Sequence, residues 1–237
     1  MISKRELNRI TIAKRILSAA RELVLEQESS DFSMPQLAKT ANVALVTPYK
    51  HFESKAGVLN ALLKEIMASN APERSDETDA SENAIDRILD FTAGEVSRLV
   101  ENEALTRPLI SGLVRLNGGT SFNVGAHWVA PWQAEVDVAF KAGMLHGFVR
   151  PELIGRSIHT AFFGHALKWV TGEINSGQFA ADARYTIVLL LLGVASDLGK
   201  PILRHRFSEA EKLLSAALAD HSDRNIGAAE LPLASGG

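Results

Sequence analysis

The side chains best equipped for chemistry lie between Phe32 and Leu59, and the chemistry they offer is recognition. Leu45, Val46, Thr47, Tyr49 and Lys50 follow one another closely, offering a hydroxyl, a phenol, an ammonium and two aliphatic groups along one short segment. His51 and Lys55 stand at its exit, and Lys4, Arg5 and Arg9 crowd the amino terminus. Cations and hydroxyls suit phosphate oxygens, which fix how a protein lies on a duplex, whereas side chains that reach base edges read the sequence. One short helix reads few base pairs, so specificity calls for two copies on two half-sites.

Catalytic constellations are missing. There is no Gly-rich phosphate loop, no Gly-x-Ser-x-Gly elbow and no His-Glu-x-x-His pair. With no cysteine there is no thiolate nucleophile, no disulfide framework and no cysteine-ligated zinc. His127, His146, His159 and His165 are not paired at i, i+4. No catalytic residue, metal or cofactor is assigned, and the chain is expected not to be an enzyme. Two other readings stay open: a helical adaptor that binds protein through its head, and an enzyme with no recognised catalytic motif.

Helices must position these groups. Ile16, Leu17, Ala20, Leu23 and Val24 fall on one apolar stripe, and Val58, Leu59, Leu62, Leu63 and Ile66 on another. Between them only short helices fit. Ser33 caps a helix beginning near Met34, with Gln36 completing a Ser-x-x-Gln box, and Ser54 caps the next. Leu37, Ala38, Ala41 and Val43 are spaced to pack two short helices at a steep angle, and Asn42 suits a left-handed turn. The result is a helix-turn-helix whose second helix enters a major groove.

Charge is divided accordingly. Residues 1 to 70 hold 10 Lys/Arg against 7 Asp/Glu and the remainder 15 against 21, so a net charge of -3 conceals a basic head on an acidic body. The basic run of Lys4, Arg5, Arg9, Lys14 and Arg15 reads as an arm feeding the first helix.

From about Arg15 to Ala61 the sequence resembles the TetR family of transcriptional regulators, on Leu37-Ala38-Lys39-Thr40-Ala41 and on Thr47-Pro48-Tyr49-Lys50-His51-Phe52-Glu53-Ser54-Lys55. The resemblance implies phosphate contacts from Thr47, Tyr49 and Lys55, and base-facing roles for Lys50 with Leu45 and Val46. Asn42 departs from the usual turn glycine, Ala44 from the usual serine cap and Val46 from a frequent glycine. A missing cap costs about 1 kcal/mol. Pro48 is expected at roughly the fourth helical position, removing only an early hydrogen bond.

Beyond an acidic, proline-containing stretch from Asn70 to Ser81, read as a linker, the chain is helical to about residue 220. Ile85, Ile88, Leu89, Thr92, Val96 and Leu99 make one stripe, and further helices are expected at about 105 to 116, 127 to 147, 151 to 174, 180 to 198 and 208 to 220. Ser208 with Glu211 is expected to cap the last. The segment from Ile187 to Ala195 is apolar nearly all round, so it must be covered on every side: one side can face its own chain and another a second copy, the alternative being a central helix covered within one chain. Trp128, Trp132, Phe140, Met144, Phe162, Phe163, His165 and Trp169 are candidates to line an apolar pocket between helices, with His165 as a polar anchor. Aromatic and Met residues at helical spacing also make ordinary core.

The fold expected is all-α, with an N-terminal helix-turn-helix three-helix head at 1–67, a larger helical ligand-binding and dimerisation bundle at 80–222, and a disordered tail at 223–237. The helix carrying Val58 to Ile66 follows the head's short pair as its fourth helix. The family resemblance implies a repressor that binds a palindromic operator in double-stranded DNA as a homodimer and is released by an unknown small effector, largely apolar or aromatic. No segment has the length of a membrane span, and no export signal opens the chain, so a cytoplasmic location is expected.

Overall fold

The computed structural model describes residues 3–68, 84–116 and 126–229, with side chains omitted for 126–127 and 221–229. The described residues form ten helices and no strand. The stretch from Asn70 to Ser81 lies outside them. Two compact units emerge, one of Met1–Glu73 with Ser97–Asn123 and the other of Arg74–Val96 with Val124–Gly237.

The first unit contains α1 (Lys4–Gln27), α2 (Met34–Thr40), α3 (Thr47–Phe52), α4 (Lys55–Ala68), the end of α5 (Ala84–Glu101) and α6 (Glu103–Leu116). α1 buries Ile16, Ala19, Ala20, Leu23 and Val24, and α4 buries its whole stripe, Val58, Leu59, Leu62, Leu63 and Ile66. Ser33 forms the expected box: its Oγ accepts from the Gln36 N–H at 3.2 Å while the Gln36 side chain accepts from the Ser33 N–H. Ser54 Oγ accepts from the Gly57 N–H at 3.1 Å, opening α4. The sequence pattern places the helix near 105 to 116 with the body; as α6 it packs against α1 and α4 within the first unit. Gly112 permits this, because a Cβ there would collide with Ser30 Oγ and crowd Leu59.

The second unit contains the first thirteen residues of α5, α7 (Ala126–Lys141), α8 (Pro151–Thr171), α9 (Ser176–Leu192) and α10 (Gly199–Ala229). α7 stops earlier than expected. Gly143, at φ 72, takes the left-handed conformation that lets its N–H bond Phe140 O and the next N–H bond Ala139 O, a Schellman end. Gly172, at φ 80, ends α8 in the same way, with N–H groups of Gly172 and Glu173 on the carbonyls of Trp169 and Lys168.

α9 starts at Ser176 rather than near 180, because Asn175 Oδ1 accepts from the Gln178 N–H at 2.8 Å. Between α9 and α10 the backbone pairs briefly with the segment after α7, through the Leu145–Ala195 bridge. α10 then begins nine residues before Ser208, so Ser208 with Glu211 lies inside a helix and caps nothing. Pro201 sits in the first turn, where its missing N–H costs nothing, and Leu203 and Ala210 are buried. α10 also continues to Ala229, into the segment expected as a disordered tail; residues 230–237 lie outside the described ones.

Candidate nucleic-acid interface

The turn between α2 and α3 is built from three cooperating features. The α2 carbonyls of Leu37, Ala38 and Lys39 accept N–H groups of Ala41, Val43 and Asn42. Asn42 takes φ 49, the left-handed conformation foreseen for it. The Arg15 guanidinium donates to the Asn42 carbonyl at 3.2 Å. Arg15, one of the five cations of the basic run, thus braces the turn from α1.

α3 starts at Thr47, with Val46 as an N-cap in right-handed conformation and no side-chain cap bond. The Thr47 N–H instead bonds Ala44 O at 2.8 Å, so Leu45 and Val46 occupy a turn that leads into the helix. Pro48 therefore falls at the start of α3, not at a fourth helical position, and its buried ring helps seat the helix. The lost serine cap shortens the helix by shifting its start to where proline is tolerated.

Leu45, Val46 and Tyr49 are 56%, 52% and 44% exposed, and Lys50 is exposed beside them. Thr47 and His51 are half-buried. At the far end Glu53, at φ 63, and Ser54 make the turn into α4. A Cβ on Gly57 would strike the Phe52 carbonyl oxygen, so α3 and α4 are joined at their closest approach.

Lys4, Arg5 and Arg9 are exposed, but they are not an extended arm. Ser3 Oγ accepts from the Glu6 N–H at 3.2 Å, and the helix begins at Lys4. At 1.5 Å per residue, Arg9 and Lys4 stand about 9 and about 17 Å along α1 from Arg15, the residue that meets the turn.

Lys55 stands apart from the other cations. It is half-buried, with its Nζ 5.1 Å from the centroid of the Phe32 ring. Burial pushes its pKa below the usual lysine value, Asp31 favours its charged form, and Arg115 opposes it. Asp31 itself is engaged by Arg115 of α6 through two guanidinium contacts, at 2.9 and 3.2 Å, and Ser29 Oγ donates to it at 2.9 Å. The Arg115 bond, with that of Ser29, holds the Asp31 carboxyl below its usual range. Sequence reasoning assigned no role to Asp31, Arg115 or Phe32; 84 residues separate the ion pair, and no local spacing announces it.

In the second unit, Trp132, Phe162 and Trp169 join a ladder of rings. Trp132 meets Phe91 edge-on at 4.8 Å and Phe162 at 5.1 Å; Phe179 then lies 5.6 Å from both Phe162 and Trp169. Phe91 and Phe179 were not among the expected residues. Trp132, Phe162, Trp169 and Met144 are buried, while Trp128, Phe140, Phe163 and His165 are half-buried. The Trp169 Nε1–H donates to Ser176 Oγ at 3.1 Å, and His165 Nε2 lies 2.9 Å from Thr186 Oγ1. Burial lowers the pKa of His165 and raises that of Asp182 nearby.

The head defines a class by its geometry, a helix-turn-helix. Residues 16–62 match the family model of bacterial regulatory proteins of the tetR family. Solved structures share the wider fold. A tetR regulator from Streptomyces fradiae, TylP, is 18% identical, covers 91% of this chain and 93% of its own, and superposes with a TM-score of 0.54. NalD, the secondary repressor of a multidrug efflux pump in Pseudomonas aeruginosa, is 21% identical over 81% of this chain and 100% of its own, with a TM-score of 0.54. A TetR-family transcriptional regulator from Pseudomonas syringae is 20% identical over 77% and 95%, with a TM-score of 0.51. No curated protein matches the sequence.

Proposed function

We propose that this chain is a ligand-responsive repressor, cytoplasmic and homodimeric, that binds a palindromic operator and is released by a small apolar or aromatic effector. The observation that carries the DNA-binding part is the exposure of Leu45, Val46, Tyr49 and Lys50, on and before a short helix braced at its turn by Arg15 and closely joined to α4 at Gly57. Leu45 and Val46 are more than half exposed, and they suit the thymine methyl, the one apolar feature of the major groove. Lys50 suits the O6 and N7 acceptors of guanine. Thr47, Tyr49, His51, Lys55 and the helical cations Lys4, Arg5 and Arg9 suit phosphates.

Two copies would pair through α9 and α10. Ile187, Val188 and Leu191 face the protein's own core, whereas Leu189 on α9 and Leu213 and Leu218 on α10 are about half exposed. An effector would enter among Trp128, Phe140, Phe163 and His165, with the buried rings of Trp132, Phe162 and Trp169 and the buried Met144 beneath it. The domains proposed are a helix-turn-helix head at 1–67, onto which α6 packs, and a helical ligand-binding and dimerisation body that begins near 80 and includes all of α10.

The test is selection of bound duplexes from a random pool, followed by affinity measurement across a salt series. Enrichment of a palindrome with a steep salt loss is expected. If no sequence is enriched and binding is absent at low salt, the DNA reading fails and a protein-binding adaptor takes its place. A thermal-shift screen then identifies effectors, since a ligand at a hundred times its Kd raises stability by about 2.7 kcal/mol.

A further inference from the structure

The ion pair between Asp31 and Arg115 lies beside Lys55, the half-buried lysine of the interface set. Lys55 Nζ is held over the face of Phe32, the residue that follows Asp31. Asp31 is the acid whose charge acts on Lys55, and Arg115 takes that acid with a two-pronged contact, Nη2 on Oδ1 and Nη1 on Oδ2. A carboxylate forked by a guanidinium is engaged in a bidentate geometry that a lysine cannot match.

We infer that Arg115 is a positioning residue for DNA binding: by occupying Asp31 it denies Lys55 an internal partner and leaves that ammonium free for a phosphate. Without Arg115, the Asp31 carboxylate, whose charge already acts on Lys55, is released to pair with it, and the ammonium turns inward. The helix that carries Arg115, α6, lies outside the segment that forms the helix-turn-helix, yet it governs whether an ammonium of that segment faces outward. This inference rests on the phosphate role of Lys55 proposed above.

The experiment uses the full chain and a short mixed-sequence duplex, with affinity followed against salt. Arg115→Ala should flatten the slope of log K against log salt by about 0.9 per head, the loss of one phosphate contact, and weaken binding by up to about eightfold per head at 0.1 M salt. Asp31→Asn should bind as well as the parent or better, and Asp31→Asn with Arg115→Ala should recover the parent slope. Lys55→Met keeps the apolar stem over Phe32 and should lose the same slope, and Arg115→Ala should add nothing to it. Thermal melts confirm that each variant is folded; should Arg115→Ala unfold, Asp31→Asn alone decides, because a loss of binding there sinks the inference. Equal losses from Arg115→Ala with and without Lys55, or a double variant no better than Arg115→Ala, would also overturn it, pointing to long-range charge or to shape. If Lys55→Met leaves the slope unchanged, the phosphate role of Lys55 fails first.

Discussion

The aromatic ladder of the second unit and the short helix of the first put their large side chains to opposite uses. In the second, Trp132, Phe162, Phe179 and Trp169 lie within ring contact of one another and are almost wholly withdrawn from water. In the first, Leu45, Val46 and Tyr49 stand about half in solvent beside Lys50 while a separate core of α1, α4 and α6 accounts for the fold. A buried ring explains itself through the core it fills. An exposed cluster at and before a short helix adds nothing to the core, so the reading of the head turns on a partner while that of the aromatic ladder turns on packing.

That contrast can be broken most forcefully in the ladder. Trp169→Ala is expected to cost about 3–5 kcal/mol in chemical denaturation, since it removes a fully buried indole and strands Ser176. A loss under 1 kcal/mol would mean that the site collapses or is hollow, and the body would then read as pocket rather than core. His159 comes next. It is buried among Trp132 and Phe163, and burial lowers its pKa from 6.5 to about 4. The unfolded chain therefore binds the extra proton between those values, so the stability from keeping this ring neutral is full above pH 6.5 and is lost as pH falls toward 4. The loss is on the order of 3 kcal/mol, and His159→Phe should flatten the decline of melting temperature over that window.

In the head, Gly112→Val should cost about 1–3 kcal/mol by forcing α6 off Ser30 and Leu59. Ser33→Ala should cost about 1 kcal/mol, with the loss confined to the α2 capping box. Smallest for stability and sharpest for the comparison is Tyr49→Ala, which should stay within about 0.5 kcal/mol of the parent while weakening DNA binding in the salt series. A Tyr49→Ala variant that melts early but binds normally would reverse the roles assigned to the head.

What could be read from the chain tracks how local the cause is. The stripes on α1, α4 and α5 came from helical period alone, and the Ser33 and Ser54 caps and the Asn42 turn from residue types at fixed offsets. The start of α10 was misplaced because Ser208 and Glu211 imitate a cap, whereas the true start depends on Pro201 and on Leu203 finding a core. Pro48 was placed too deep because the shift of α3 toward Thr47 follows from a hydrogen bond to Ala44, not from composition. The brace of Arg15 on Asn42, the fork of Arg115 on Asp31, and Phe91 and Phe179 in the ladder are meetings between distant segments, and no local spacing encodes them.

The close approach of Gly57 to Phe52 has a consequence for how such a head diversifies. With no room for even a methyl at that joint, α3 cannot be tilted relative to α4 by small steps, because any side chain at 57 breaks the joint before it bends it. New targets must then be acquired by exchanging the exposed groups at 45, 46, 49 and 50 on an unchanged frame. Lineages descending from this chain should vary at those four positions while keeping a glycine at 57.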